Sequence, residues 1–65
     1  MYTVTTVDIT GHEAPQTQHR TLKTALIAGR KLDRQLDQKN LPLRVVITED
    51  GPGWYELDGT WSADI

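Results

Sequence analysis

Residues 21–39 read TLKTALIAGRKLDRQLDQK, and the spacing of their apolar side chains decides the fold. At about 100° per residue, Leu22, Ala25, Leu26, Gly29, Leu32 and Leu36 fall within one stripe, the mark of an amphipathic helix. Thr21 is placed to cap its start, because a threonine hydroxyl accepts from the amides of a first turn. Asn40 and Pro42 stop it, since Asn tolerates the left-handed conformation and Pro cannot continue the hydrogen-bond ladder. The predicted helix runs from about Thr21 to about Lys39. Gly29, in the middle of the inner stripe, lets helix and sheet approach closely.

Outward from the helix, both flanks read as strand. Residues 2–10, YTVTTVDIT, are rich in β-branched types. Gly11 to Pro15 forms a break, and Gln16 to Arg20 is expected to return as a short second strand. After the helix, Leu43 to Glu49 is the most strand-like run in the chain and is expected at the centre of the sheet. Asp50-Gly51-Pro52-Gly53 is a turn by composition. It lacks the following helix and lysine of a phosphate loop. Trp54 to Leu57 reads as another strand, and Asp58-Gly59 as a two-residue hairpin turn into Thr60 to Ala63. That turn sets Leu57 opposite Thr60 and Glu56 opposite Trp61. The expected fold class is α+β: an antiparallel sheet of three to five strands with one helix packed on one face, in the order β(β)αβββ, as a single domain over residues 1–65. Each element then buries one apolar side, and the sheet's other face is left to water or to a partner.

A chain of 65 residues has room for one core, and such a chain buries only about 60% of its unfolded surface. The absence of cysteine removes a disulfide framework and any thiolate zinc site. The start, MYTVTTVDIT, lacks the basic segment and apolar run of a signal peptide, and no stretch reaches the ~20 apolar residues of a membrane span. The expectation is a soluble, cytoplasmic protein that does not engage membranes. Charge is unevenly placed. All seven Lys and Arg residues (Arg20, Lys23, Arg30, Lys31, Arg34, Lys39, Arg44) lie between positions 20 and 44 with only Asp33 and Asp37, giving +5 there, while the other seven of nine acids give −7 elsewhere. A dipole of this kind steers encounters with charged partners.

Catalytic chemistry finds little support. A nucleophile needs a base and an orienting group nearby, and Ser62, His12 and His19 match no such spacing. Small-molecule sites also want clefts of hundreds of Å³, so the chain is not expected to be an enzyme or to carry a cofactor. Asp8, His12, Glu13 and His19 converge if residues 2–20 form a hairpin. Their irregular spacing and the lack of cysteine make surface residues the better reading than a zinc site.

The helix's outer face carries the strongest pattern. Arg20, Lys23, Ile27, Arg30, Lys31 and Arg34 cluster opposite the apolar stripe, five cations around one isoleucine. An ordinary solvated face is the competing reading, with Asp33 and Asp37 pairing with Arg30 and Arg34 at i, i+3. An apolar centre ringed by Arg and Lys, however, has the make-up of an interface anchor. The aromatic residues Tyr2, Trp54, Tyr55 and Trp61 form a second candidate. Trp54 and Trp61 are expected on one face of the last hairpin beside Glu56, with Tyr55 and Leu57 on the other. One pair faces the helix, and the other forms a binding patch or a cover for the sheet.

The layout of two strands, a helix opening on Thr21, Leu22 and Ala25, and a closing hairpin with Trp54, Tyr55, Leu57, Asp58, Gly59 and Trp61 resembles small sheet-plus-one-helix proteins of phages and mobile elements, including some anti-CRISPR proteins. The resemblance implies a protein that binds and blocks a host complex, often one that handles nucleic acid. Three functions are therefore expected in competition. The first is a protein-binding module, an inhibitor or adaptor, whose partner-binding residues are Arg20, Lys23, Ile27, Arg30, Lys31 and Arg34 with Trp54 and Trp61. The second is a nucleic-acid-binding module using the same cations, against which the acidic total counts. The third is a structural or oligomerising domain that forms a homodimer through an edge strand or the sheet's open face, with residues 2–10 poorly defended as an edge.

Overall fold

The computed structural model describes residues 1–63. Five strands and one helix follow in order: β1 Tyr2–Val7, β2 Glu13–His19, α1 Leu22–Gln38, β3 Arg44–Thr48, β4 Trp54–Tyr55 and β5 Trp61–Ser62. The sheet order is β2-β1-β3-β4-β5 with every neighbouring pair antiparallel. The α+β expectation therefore holds, with five strands and the order ββαβββ. Strand β3 is central, as its composition suggests. Strands β2 and β3 flank β1 and run parallel to each other, so β2, α1 and β3 form a split β-α-β crossover around it.

The helix begins and ends where its capping residues place it. Thr21 is extended (φ −124°, ψ 152°) and its hydroxyl accepts from the Thr24 amide at 3.2 Å. At the other end Asn40 adopts φ 54°. There Leu41 N–H donates to Leu36 O and Asn40 N–H to Asp37 O, both at 3.1 Å. These two bonds are a Schellman closure, with Asn40 as its left-handed residue.

The inner stripe meets the sheet as its period requires. Ala25, Gly29 and Leu36 are buried, and Leu22, Leu26 and Leu32 pack partly buried against Val4, Val45 and Ile47. Tyr2 and Tyr55 close one side of this core edge to face, 6.0 Å between ring centroids. A Cβ on Gly29 would stand 3.0 Å from Leu57 Cδ2 and 3.1 Å from Ile47 Cδ1, so the missing side chain sets the helix-to-sheet distance.

Several boundaries differ from the sequence reading. Strand β1 stops at Val7, because Asp8 to His12 closes a tight loop. Strand β2 starts at Glu13, three residues before Gln16. Pro15 lies within it, tolerated because β2 is an edge strand where a missing N–H is harmless. The register shifts between Val4–Thr17 and Thr5–Pro15, which leaves Gln16 as an extra residue in a bulge. The expectation that residues 2–10 form a sheet edge is corrected. Residues 3–7 are paired on both sides, so the sheet's edges are β2 and β5. Strand β2 is blunted by Pro15 and its bulge, and β5 has only two residues.

The last hairpin is one residue longer in its loop than expected. Glu56 pairs with Thr60 (Glu56 N–H to Thr60 O, 2.8 Å), and Gly59 N–H donates to Glu56 O at 2.9 Å. Leu57, Asp58 and Gly59 are therefore the loop, with Gly59 at φ 93°. This is the three-residue connection of a turn followed by a left-handed glycine, in which only the glycine needs positive φ. The change flips the register. Trp54 now faces Ser62 and Tyr55 faces Trp61, so the two tryptophans lie on opposite faces.

Candidate functional site

Among the outer-stripe residues, the helix presents Lys23, Ile27, Arg30, Lys31 and Arg34, all exposed. Ile27 is 58% exposed and takes no part in the core. Arg20 precedes the cap, so the helical period does not place its side chain; it lies at the entry to the helix. Arg30 is also set apart. Its Nε–H donates to Leu57 O at 2.8 Å, strapping the helix to the last hairpin. The expected pairs of Asp33 with Arg30 and of Asp37 with Arg34 do not form. The one ion pair among the described residues joins Arg44 and Glu56. Lys23, Lys31 and Arg34 therefore surround Ile27 without acidic partners.

The charges also run against the helix's own field. No acid lies in the first turn and no base in the last, whereas Arg20 and Lys23 sit at the positive end and Asp37 near the negative end. Each misplaced charge costs about 0.3–1 kcal/mol at low salt. Lys39 at the C-cap is the exception, a cation at the negative end.

The sheet's face opposite α1 is concave, with a volume of about 700 Å³ between β2 and the Gly51–Trp54 segment. Its floor is Thr5 and Val46, only 3% and 4% exposed. Thr5 Oγ1 and Thr48 Oγ1 share a hydrogen bond of 3.2 Å there. Trp54 forms part of the rim, and its indole Nε1–H donates to Glu56 Oε1 at 2.8 Å. Arg44 donates to the same oxygen, and its guanidinium lies 5.9 Å from the Trp54 ring centroid. Glu56 is held below the usual carboxylate range, first by the Trp54 hydrogen bond and then by Arg44. Among the described residues lining this face Arg44 is the one basic side chain, and it is paired with Glu56. Trp61 lies on the helix side at the sheet edge, 56% exposed, with its ring packed over Gly53, where a Cβ would meet Trp61 Cζ2 at 2.7 Å. The eight residues expected to bind a partner lie on three parts of the surface. The helix residues share the outer face, Trp54 belongs to the concave face, and Trp61 to the edge.

Of the four residues weighed for a metal, Asp8 and His19 hold hydrogen bonds of their own. Asp8 Oδ1 accepts from Thr10 N–H (2.9 Å), Thr10 Oγ1–H (2.6 Å) and His12 N–H (2.9 Å). These bonds, Thr10's hydroxyl first, hold its carboxyl below the ordinary value. His19 Nε2 pairs with Thr17 Oγ1 at 2.9 Å.

Sequence reasoning missed Ile9, which is 87% exposed. Its loop is built like the last hairpin's. Gly11 N–H donates to Asp8 O (3.0 Å), Asp8 N–H to His12 O (3.1 Å), and Gly11 takes φ 85°. Ile9 and Leu57 occupy the same loop position. Leu57 folds onto the core, while Ile9 projects into solvent. The signal in the sequence is the pair of x-[Ile/Leu]-x-Gly loops, Ile9 before Gly11 and Leu57 before Gly59.

No helix among the described residues is long and apolar enough to cross a membrane. Comparison with protein-family models, curated proteins and solved structures finds no match for the chain.

Proposed function

We propose that the chain is a small protein-binding module, an inhibitor or adaptor, that docks through the outer face of α1 onto an acidic protein surface with an apolar pocket. One observation carries this reading: Ile27 is 58% exposed at the centre of Lys23, Lys31 and Arg34, none of which is in an ion pair among the described residues. An aliphatic anchor ringed by cations buries well only against a surface that supplies acids around a hydrophobic hole. Two copies of this face repel one another, so the occupant is a different surface. The resemblance to mobile-element inhibitors makes nucleic-acid-handling complexes the first partners to try.

The test is a charge reversal of Lys23, Lys31 and Arg34 to Glu, with Ile27→Ser as a separate variant. Arg30 is left intact because it straps the fold. Capture of partners from the source organism's lysate is compared after circular dichroism confirms the helix. The reading expects both variants to lose the wild-type partner. Unchanged capture by both removes the stripe from consideration. Titration with duplex and single-stranded nucleic acid runs in parallel. Tight binding at low salt that collapses steeply as salt rises replaces the protein partner with phosphates.

A further inference from the structure

The chain contains two Asp-Gly dipeptides, Asp50-Gly51 and Asp58-Gly59, and the structure treats them oppositely. We propose that Asp50-Gly51 is a site of spontaneous covalent modification, converting to isoaspartate in the folded protein while Asp58-Gly59 is protected.

The chemistry needs a backbone nitrogen free to attack and a carboxyl free to be attacked. In an Asp-Gly pair the glycine nitrogen adds to the aspartate Cγ. A five-membered succinimide forms as the new N–C bond closes, and the carboxyl oxygen leaves as water with the amide proton. Water then re-adds at either ring carbonyl. Addition at the original main-chain carbonyl leaves the chain running through Cβ, with a free α-carboxylate and no net change in mass or formal charge. Glycine favours the step because it has no side chain to crowd the nitrogen and adopts the required backbone angles readily.

At Asp50-Gly51 both requirements are met. Asp50 and Gly51 are exposed. Gly51 has φ 107°, with nothing within 4 Å of where a Cβ would stand. Neither its N–H nor the Asp50 carboxylate has a hydrogen-bond partner among the described residues. At Asp58-Gly59 both groups are occupied. Gly59 N–H donates to Glu56 O at 2.9 Å, and Asp58 Oδ1 accepts from Thr60 N–H at 2.8 Å. Two hydrogen bonds must open there before the ring can close, which slows that site by about thirtyfold relative to Asp50. The modification has a structural address, because Gly51, Pro52 and Gly53 wall the concave sheet face beside Trp54. An added main-chain methylene reshapes that wall.

The experiment incubates the full chain at physiological temperature in mildly acidic buffer for weeks, with a parallel sample in denaturing urea. Peptide mapping with fragmentation that distinguishes the two linkages then reads each site. The expected result is isoaspartate at residue 50, at least about tenfold less at residue 58 in the folded chain, and convergence of the two rates in urea. Asp50→Glu, which keeps the charge but requires a six-membered ring, abolishes the product without touching the fold. Equal rates at the two sites in the folded protein overturn the proposal. So does a folded-state rate at residue 50 far below its rate in urea.

Discussion

Replacing Gly29 with Ala tests the closeness of helix and sheet, because two opposing effects of known size meet at one atom. Ala is worth about 1 kcal/mol more than Gly in a helix interior. The new methyl would stand 3.0 Å from Leu57 Cδ2 and 3.1 Å from Ile47 Cδ1, with Val45 Cγ1 at 3.6 Å. Leu57 is partly exposed and can swing away, but Ile47 is 0% exposed and has nowhere to go. Inserting a methyl into a packed core costs about 1–3 kcal/mol. The steric term wins, and the expected net loss is about 1 kcal/mol, which for a domain this size lowers the melting temperature by about 4–8 °C. Urea or thermal unfolding followed by circular dichroism at the helix band measures it. A double-mutant cycle makes the test sharper. Ile47→Val removes the methyl that clashes, so Gly29→Ala should cost less in that background than alone, with a coupling of about 0.5–1 kcal/mol. If Gly29→Ala stabilises the protein and the two substitutions add independently, the helix does not lie as close to β3 as described.

Other expectations follow from single contacts. Thr21→Ala removes the helix cap and is expected to cost about 1 kcal/mol in urea unfolding, whereas Thr21→Ser is close to neutral. Arg30→Ala loses its bond to Leu57 O and is expected to cost about 1 kcal/mol, while Lys31→Ala stays within about 0.5 kcal/mol; equal effects at the two positions refute the strut. Glu56 has a folded-state pKa lowered by Trp54 and Arg44, so its contribution is present above the unfolded carboxylate pKa and lost as pH falls through the folded value. Unfolding midpoints measured down an acid series should therefore drop less in Glu56→Gln than in the wild type, and identical acid limbs argue against the Trp54–Glu56–Arg44 cluster.

The helix was fully legible in the sequence, and for a local reason. Thr21, the 3.6-residue period from Leu22 to Leu36, and the Asn40–Pro42 stop are all determined within a few residues of one another. Its outer stripe from Lys23 to Arg34 was legible for the same reason, Arg20 lying before the cap, and exposed Ile27 stands where the angular count put it. The strands were legible as elements, since β-branched runs favour extended backbone wherever they end up, but their limits were not. A strand ends where its hydrogen-bond partner ends, and the partner is a distant segment.

Tertiary structure decided the rest. Strand order made β1 an interior strand, because only the assembled sheet shows that β3 occupies its second edge. The last hairpin turned on one residue: Asp58-Gly59 suits a two-residue turn, but a three-residue loop needs only Gly59 at positive φ and lets Leu57 reach the core. With a period of two, that single step moved Trp54 and Trp61 to opposite faces. Arg30 was one of five equivalent cations by sequence, and became a strut only because the folded hairpin brought Leu57 O within 2.8 Å of it. The sequence alone determined the chain's two-faced helix. Which of its charges remain free, and which aromatic shares a surface with them, depended on contacts between segments far apart in the chain, and those exist only after folding.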